Sequence, residues 1–258
     1  MGDLGGVRLF HTDHGSGSVV LLLVHGWGGD GREWSPHVEA LAGRHRVIVP
    51  DLRGHGRSDV PADGNTPRAM ARDLAALVAR LATGPVVAVG HSMGGQVVNL
   101  LAVEHPEAVC SVIALDPAHG AAGDEVADIP RRLRAYQEKG AEAAAEFIAA
   151  AFSPDAPAGL RTAHVRTMLG APGHVVAQAY AGMYTDPEAV GIRARSEAYL
   201  RLRACPSLTV WTSAEHAAWE AGLRLPGARV EHWPGVGHYL HEERVAETVG
   251  LIDQWCDR

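Results

Sequence analysis

"VVAVGHSMGGQVV", residues 86–98, sets a serine between glycines where an apolar run gives way to a helical pattern. The run before it is short and β-branched, the signature of a buried strand. The residues after it, "GGQVVNLLAVEHP" at 94–106, carry apolar side chains at helical spacing and stop at a proline. Ser92 therefore falls at a strand-to-helix corner, with Gly90 and Gly94 two residues to either side. A nucleophile held in a sharp turn needs neighbours without a Cβ, because the tight backbone leaves no room for one. An ordinary turn serine would share that composition, since Gly and Ser punctuate loops everywhere. The rest of the chain has to decide between the two.

Further strand-like runs lie at 19–24, 46–49, 111–115, 207–211 and 228–232, each ending near Gly, Pro or Asp. Helical stretches such as "TPRAMARDLAALVARLA" at 66–82 separate them. Alternating strand and helix predicts an α/β fold, a mostly parallel central sheet flanked by helices on both faces. One interval breaks the rhythm. Residues 119–204 are Ala-rich and helical in pattern, with "AEAAAEFIAAAF" at 141–152 and "HVVAQAYAGMY" at 174–184, and hold no clear strand. That is too long for a connecting loop, so it reads as an inserted helical cap (lid), with 1–118 and 205–258 forming the core.

With 258 residues and 47% hydrophobic composition, the chain has enough apolar side chain for a full core. Three widely spaced cysteines, an odd number, suggest neither a disulfide framework nor a CxxC metal site. The first residues lack the basic and apolar regions of a signal peptide, and the apolar run at 19–24 is too short to span a bilayer. A cytoplasmic protein without membrane partners is expected. A net charge of -7 with no Lys/Arg cluster argues against nucleic acid. "RRLR" at 131–134 reads as a solvated helix face beside nearby acids. Monomer and homodimer both remain open.

"LLLVHGWGG" at 21–29 ends a buried strand in a glycine-rich loop. Such a loop lets a backbone N–H face the site, so the N–H groups of Trp27 and Met93 are candidates for a two-donor oxyanion hole. A P-loop would need Gly-Lys-Ser/Thr, which does not occur. His25 reads as a structural hydrogen-bonding residue of the loop. Among 15 histidines, His238 stands out as Gly-flanked and late, following Ser92 and every candidate acid. His238 and His241 have the spacing of a metal pair, but no further ligand cluster accompanies them, so no metal is expected.

The four motifs "HGWGG" at 25–29, "DLRGHGRSD" at 51–59, "GHSMGG" at 90–95 and "GVGHYLHEE" at 235–243 together resemble the α/β-hydrolase fold superfamily over essentially the whole chain. The resemblance implies Ser92 as nucleophile and His238 as base, in the chain order of that family. It also implies that "DLRGHGRSD" is architectural, so Asp51, Arg53 and Asp59 are not catalysts. A carboxylate must orient the imidazole and stabilise the imidazolium that forms. Two positions compete for that role. Asp116 ends the run 111–115, where some members of the superfamily, haloalkane dehalogenases and certain lactone hydrolases among them, carry their acid. Glu215 follows the run 207–211, the more usual place, but without the glycine that commonly precedes it. Asp116 is the preferred acid and Glu215 the alternative.

A serine at the elbow implies acyl transfer to water without a cofactor, on an ester or lactone bond of a small, largely apolar molecule. Dehalogenases and epoxide hydrolases of this fold require an aspartate at that position. Carbon–carbon bond hydrolysis is the enzymatic alternative, and a low-turnover small-molecule receptor or pseudoenzyme the non-enzymatic one. A helical cap would restrict entry to small molecules. Phe147, Phe152, Met168, Tyr180, Met183 and Tyr184 are candidates for an apolar pocket, although such residues at helical spacing also build plain core.

Overall fold

The computed structural model of the chain describes residues 2–3 and 6–258. Its strands are β1 (Gly2–Asp3), β2 (Arg8–Leu9), β3 (His11–His14), β4 (Val20–Val24), β5 (Arg46–Pro50), β6 (Val86–His91), β7 (Val109–Leu115), β8 (Ser207–Trp211) and β9 (Ala228–His232). Its helices run from α1 (Ser35–Leu41), α2 (Pro67–Arg80) and α3 (Met93–Glu104) through α4 (Asp124–Lys139), α5 (Ala141–Ala149), α6 (Ala158–Leu169), α7 (Gly173–Tyr184) and α8 (Arg193–Leu200). They finish with α9 (Ala214–Gly222), α10 (Leu240–Glu243) and α11 (Val245–Cys256).

Strands β3 to β9 form one sheet in the order β3-β5-β4-β6-β7-β8-β9. β3 pairs antiparallel with β5, and every other pairing in that sheet is parallel. The fold is thus the α/β architecture expected from the alternation of runs. A parallel sheet is covered on both faces, which is why β4 and β8 are buried at every position instead of alternating with polar residues. Successive side chains still part to opposite faces. Leu21 and Leu23 pack with Trp34, Leu41, Ile252 and Trp255 under α1 and α11. Leu22 and Val24 pack with Leu74, Leu77, Met93 and Val97 under α2 and α3.

The runs read from the sequence match strands to within two residues at each end, but β3 carried no such signal. "HTDH" is half-buried or exposed along its length, because an edge strand depends on backbone pairing instead of an apolar face.

Between β7 and β8 the chain makes five helices, α4 to α8. Among the described residues, the interval's extended pairing is a single bridge, Ala121 to Ile192. The helices lie over the C-terminal ends of the strands. Trp27, just past β4, donates its indole N–H to Val176 O on α7 at 3.1 Å. Its ring meets Tyr136 of α4 and Tyr180 of α7 at centroid distances of 4.9 and 5.7 Å. No helix among the described residues is long and apolar enough to cross a membrane. Cys110, Cys205 and Cys256 are free thiols.

Candidate active site

Ser92 joins β6 to α3 with φ +53° and ψ -118°, a left-handed backbone rare outside glycine. Strain of this kind amounts to about 1–3 kcal/mol and persists only where the surroundings hold it. Three hydrogen bonds do so here. Ser92 N donates to Leu115 O at 3.0 Å, and Ser92 O accepts from Ala118 N at 2.9 Å and Gln96 N at 3.2 Å. The flanking glycines are sterically required. A Cβ at Gly90 would collide with the carbonyl of Gly94, and one at Gly94 with the carbonyls of Val24 and His25.

His238 lies between this corner and the end of β7. Its Nε2 is 2.8 Å from Ser92 Oγ and its Nδ1 is 2.6 Å from Asp116 Oδ2. The carboxylate accepts from Nδ1–H, which leaves the Nε2 lone pair for the serine hydroxyl. Asp116 Oδ1 accepts in turn from the N–H and the hydroxyl of Thr212, both at 2.9 Å. Burial pushes the Asp116 carboxyl up, but the hydrogen bond and charge of His238, with the two Thr212 donors, outweigh it and hold the group below its ordinary value. Glu215 stands elsewhere. It is exposed at the start of α9 and pairs with Arg193 at 3.0 Å.

The loop after β4 is pinned by imidazoles. His25 donates from Nδ1 to Gly26 O at 2.8 Å and accepts from Leu52 N at 3.0 Å, a structural role. His55 donates to Arg53 O and accepts from Gly28 N at 3.2 Å. Burial, with His25 beside it, pulls the pKa of His55 down to about 3. The segment 51–59 is architectural: Asp51 accepts from Gly31 N and Arg57 N, Arg53 forks onto Asp73, and Asp59 pairs with Arg8. Among the described residues, the backbone N–H groups of Trp27 and Met93 donate to no acceptor of the chain. Met93 is the first residue of α3, so its N–H also carries the positive end of the helix dipole.

A second polar cluster lies behind His238, and no sequence motif pointed to it. Glu33, in the turn before α1, places Oε1 at 2.7 Å from His91 Nδ1 and 3.1 Å from His241 Nε2. Its Oε2 accepts from Gly26 N at 3.1 Å. His91 Nε2 is 2.9 Å from the carbonyl oxygen of His238. One buried carboxylate thereby ties together the Trp27 loop, the residue before Ser92 and the backbone of His238. Burial pushes Glu33 up, but the charge of His91 and the hydrogen bonds from His241 and His91 bring it well below its usual range. The 2.7 Å spacing to His91 is a hydrogen bond, and His241 Nε2 faces the same oxygen at 3.1 Å. One ligand-type atom from each of Glu33, His91 and His241 lies within 4.8 Å of the others, a grouping that could hold a metal ion and that the sequence did not reveal beside His241.

A cavity of about 340 Å³ opens in front of Ser92, Asp116 and His238. Phe147, Tyr180, Met183 and Tyr184 line it, whereas Met168 packs on Gly28 and Phe152 stacks on Tyr239. Arg132, assigned from sequence to a solvated face, also lines it, while its neighbour Arg131 is exposed. A larger cavity, about 630 Å³, lies beside β3, β5 and α1 and touches none of Ser92, Asp116 or His238.

Comparison with known proteins gives the family of the fold. The family described as alpha/beta hydrolase fold matches residues 19–245. The magnesium-chelatase 30 kDa subunit of Rhodobacter capsulatus is 30% identical over 256 residues, covering 92% of this chain and 87% of that one. Matches to three other curated proteins run over 114 to 117 residues at 36% to 38% identity and span 31% to 41% of their length. Among solved structures, a thermophilic esterase from Thermogutta terrifontis superposes with TM-score 0.83 at 29% identity, over 97% of this chain and 93% of that one. Est816, described as an N-acyl homoserine lactone degrading enzyme, gives 0.82 at 25% identity, over 97% of each chain.

Proposed function

Because the chain belongs to the α/β hydrolase fold family, we propose that it is a serine hydrolase cleaving an ester or lactone bond of a small molecule through an acyl-enzyme. The observation that carries this reading is the unbroken relay from Ser92 Oγ to His238 Nε2 at 2.8 Å and from His238 Nδ1 to Asp116 at 2.6 Å. Ser92 Oγ attacks the substrate carbonyl carbon as its proton passes to His238 Nε2. The carbonyl π bond becomes an oxyanion, received by the N–H groups of Trp27 and Met93. Collapse re-forms the carbonyl and breaks the bond to the leaving alcohol, which takes the proton back from His238. Water then attacks the acyl-serine with His238 again as base, releasing the acid and the free hydroxyl. In a lactone the alcohol stays tethered, so the product is a hydroxy acid.

Asp116 keeps its charge throughout, consistent with the groups that hold its carboxyl below the ordinary value. In this reading residues 119–204 are a cap over a core formed by 1–118 and 205–258, and the small cavity beneath favours small molecules. Names among the relatives support the choice of bond, since an esterase and an acyl-homoserine lactone degrading enzyme are among the structures it superposes on.

The test is labelling with a fluorophosphonate probe together with turnover of 4-nitrophenyl acetate. Wild-type protein should label at Ser92 and turn over the ester, and Ser92→Ala should lose both, with kcat falling about 10⁴ to 10⁶-fold. Labelling or turnover that survives the substitution would reject the reading.

A further inference from the structure

The helical wall of the cavity is rich in hydrogen-bond donors that have nothing to bind. Arg132 of α4 commits its Nε to Asp128 at 2.6 Å, and its two terminal nitrogens have no acceptor among the described residues. Its guanidinium lies over the ring of Phe147 at 5.3 Å, and that ring meets Trp27 edge-on at 6.3 Å. The cationic fork is therefore two aromatic rings from the loop beside Ser92. Tyr180 and Tyr184 line the same cavity, and their hydroxyls likewise have no hydrogen-bond partner among the described residues. Burial raises the pKa of both phenols, so they remain protonated donors at neutral pH.

The acids near this wall are already engaged. Asp128 is shared between Arg131 and Arg132, so one carboxylate answers two guanidinium groups. Glu125, which lines the cavity, is paired with His216 at 3.4 Å. Asp116 is bound to His238 and Thr212. What remains at the wall is a guanidinium with a planar pair of free donors, next to two phenol donors. A guanidinium fork matches a carboxylate in two parallel hydrogen bonds. Two phenol hydroxyls add donors for the same acceptor oxygens.

We propose that the substrate carries a carboxylate, held by Arg132 with Tyr180 and Tyr184, while Ser92 attacks an ester or lactone carbonyl elsewhere in the molecule. The proposal rests on the acyl-transfer reading above and names its substrate class.

The experiment uses the full chain and two pairs of esters that differ in charge. Monoethyl adipate against ethyl hexanoate puts the carboxylate on the acyl side. For the alcohol side, 4-acetoxybenzoate is compared with phenyl acetate. In at least one pair the anion should have the higher kcat/KM, by about tenfold or more, the size of one charge-assisted hydrogen bond. Arg132→Gln should bring that ratio close to one, and Arg132→Lys, which keeps charge but not the fork, should restore part of it. Neutral esters preferred or equal in both pairs, or an anion preference that survives Arg132→Gln, would overturn the proposal. If no ester is turned over and Ser92 resists fluorophosphonate, the acyl-transfer reading has failed, and adipate binding by calorimetry decides the carboxylate site separately. Binding that Arg132→Gln weakens about tenfold would support it; no binding, or binding indifferent to the substitution, would overturn it.

Discussion

Two histidine–carboxylate pairs lie side by side at the ends of the strands, their imidazole centroids 4.7 Å apart. His238 Nδ1 is 2.6 Å from Asp116 and His91 Nδ1 is 2.7 Å from Glu33. The difference lies at the other nitrogen. His238 Nε2 faces the hydroxyl of Ser92, which has a proton to give. His91 Nε2 faces the carbonyl oxygen of His238, which can only accept. Exposure follows the same division: side chains of 23% and 12% for His238 and Asp116, against 1% for both His91 and Glu33. The pair itself does not make an imidazole reactive. The partner of the remaining nitrogen decides whether the ring can move a proton or only hold a backbone.

The contrast would break most sharply at the front pair. Asp116→Asn keeps the shape and an acceptor oxygen for Thr212 but removes the charge that fixes the His238 tautomer. The equivalent change in serine proteases costs about 10⁴-fold in kcat, and a loss of that order is expected here, read on 4-nitrophenyl acetate. A loss below tenfold would take Asp116 out of the reaction.

Glu33→Gln tests the rear pair, and its main effect should appear in stability. Replacing the buried carboxylate by an amide weakens its hydrogen bonds with His91 and Gly26 N, at about 1–3 kcal/mol. For a domain of this size that is a fall in Tm of roughly 2–12 °C, measurable by calorimetry or circular dichroism. At 25 °C the remaining folded enzyme should keep kcat within about tenfold, because no atom of Glu33 takes part in proton transfer. A loss of several decades in kcat with Tm unchanged would show that the two pairs do not divide their work in this way.

The front pair was legible in the sequence and the rear pair was not, for reasons of distance along the chain. Ser92 shows itself because its corner excludes side chains at Gly90 and Gly94, a steric demand written into neighbouring residues. Asp116 and Glu215 both follow strand runs, and the missing glycine before Glu215 is the one local sign against it. The difference is tertiary. β7 and β8 are adjacent in the sheet, and Asp116 turns at φ +41° to meet Thr212 at the end of β8, whereas Glu215 lies on the outer side of α9. Glu33 looks like a surface acid in "GREW", since only the packing of α1, β6 and the α10 segment buries it. Arg132 was hidden by averaging: adjacent helical residues point about 100° apart, so a single label for "RRLR" could not fit Arg131 and Arg132 alike. The edge strand β3 went unread because its sequence has no apolar face to show.

The smallest expected effect sharpens the comparison from the other side. Glu215 pairs with a guanidinium instead of an imidazole, at 3.0 Å, and its side chain is 75% exposed. Water screens such a pair, and surface ion pairs contribute about 0–1 kcal/mol. Glu215→Gln keeps the shape of the side chain and leaves Arg193 its hydrogen bond to Gly120 O at 3.1 Å. The variant should therefore keep kcat/KM on 4-nitrophenyl acetate within about twofold, with Tm lowered by no more than about 4 °C. Measured beside Asp116→Asn, it separates two acids that both follow strands at this end of the sheet. A fall of several decades at Glu215, with Asp116→Asn nearly silent, would mean that the imidazole draws its working carboxylate from α9 during turnover, and the front pair would lose its claim to the chemistry.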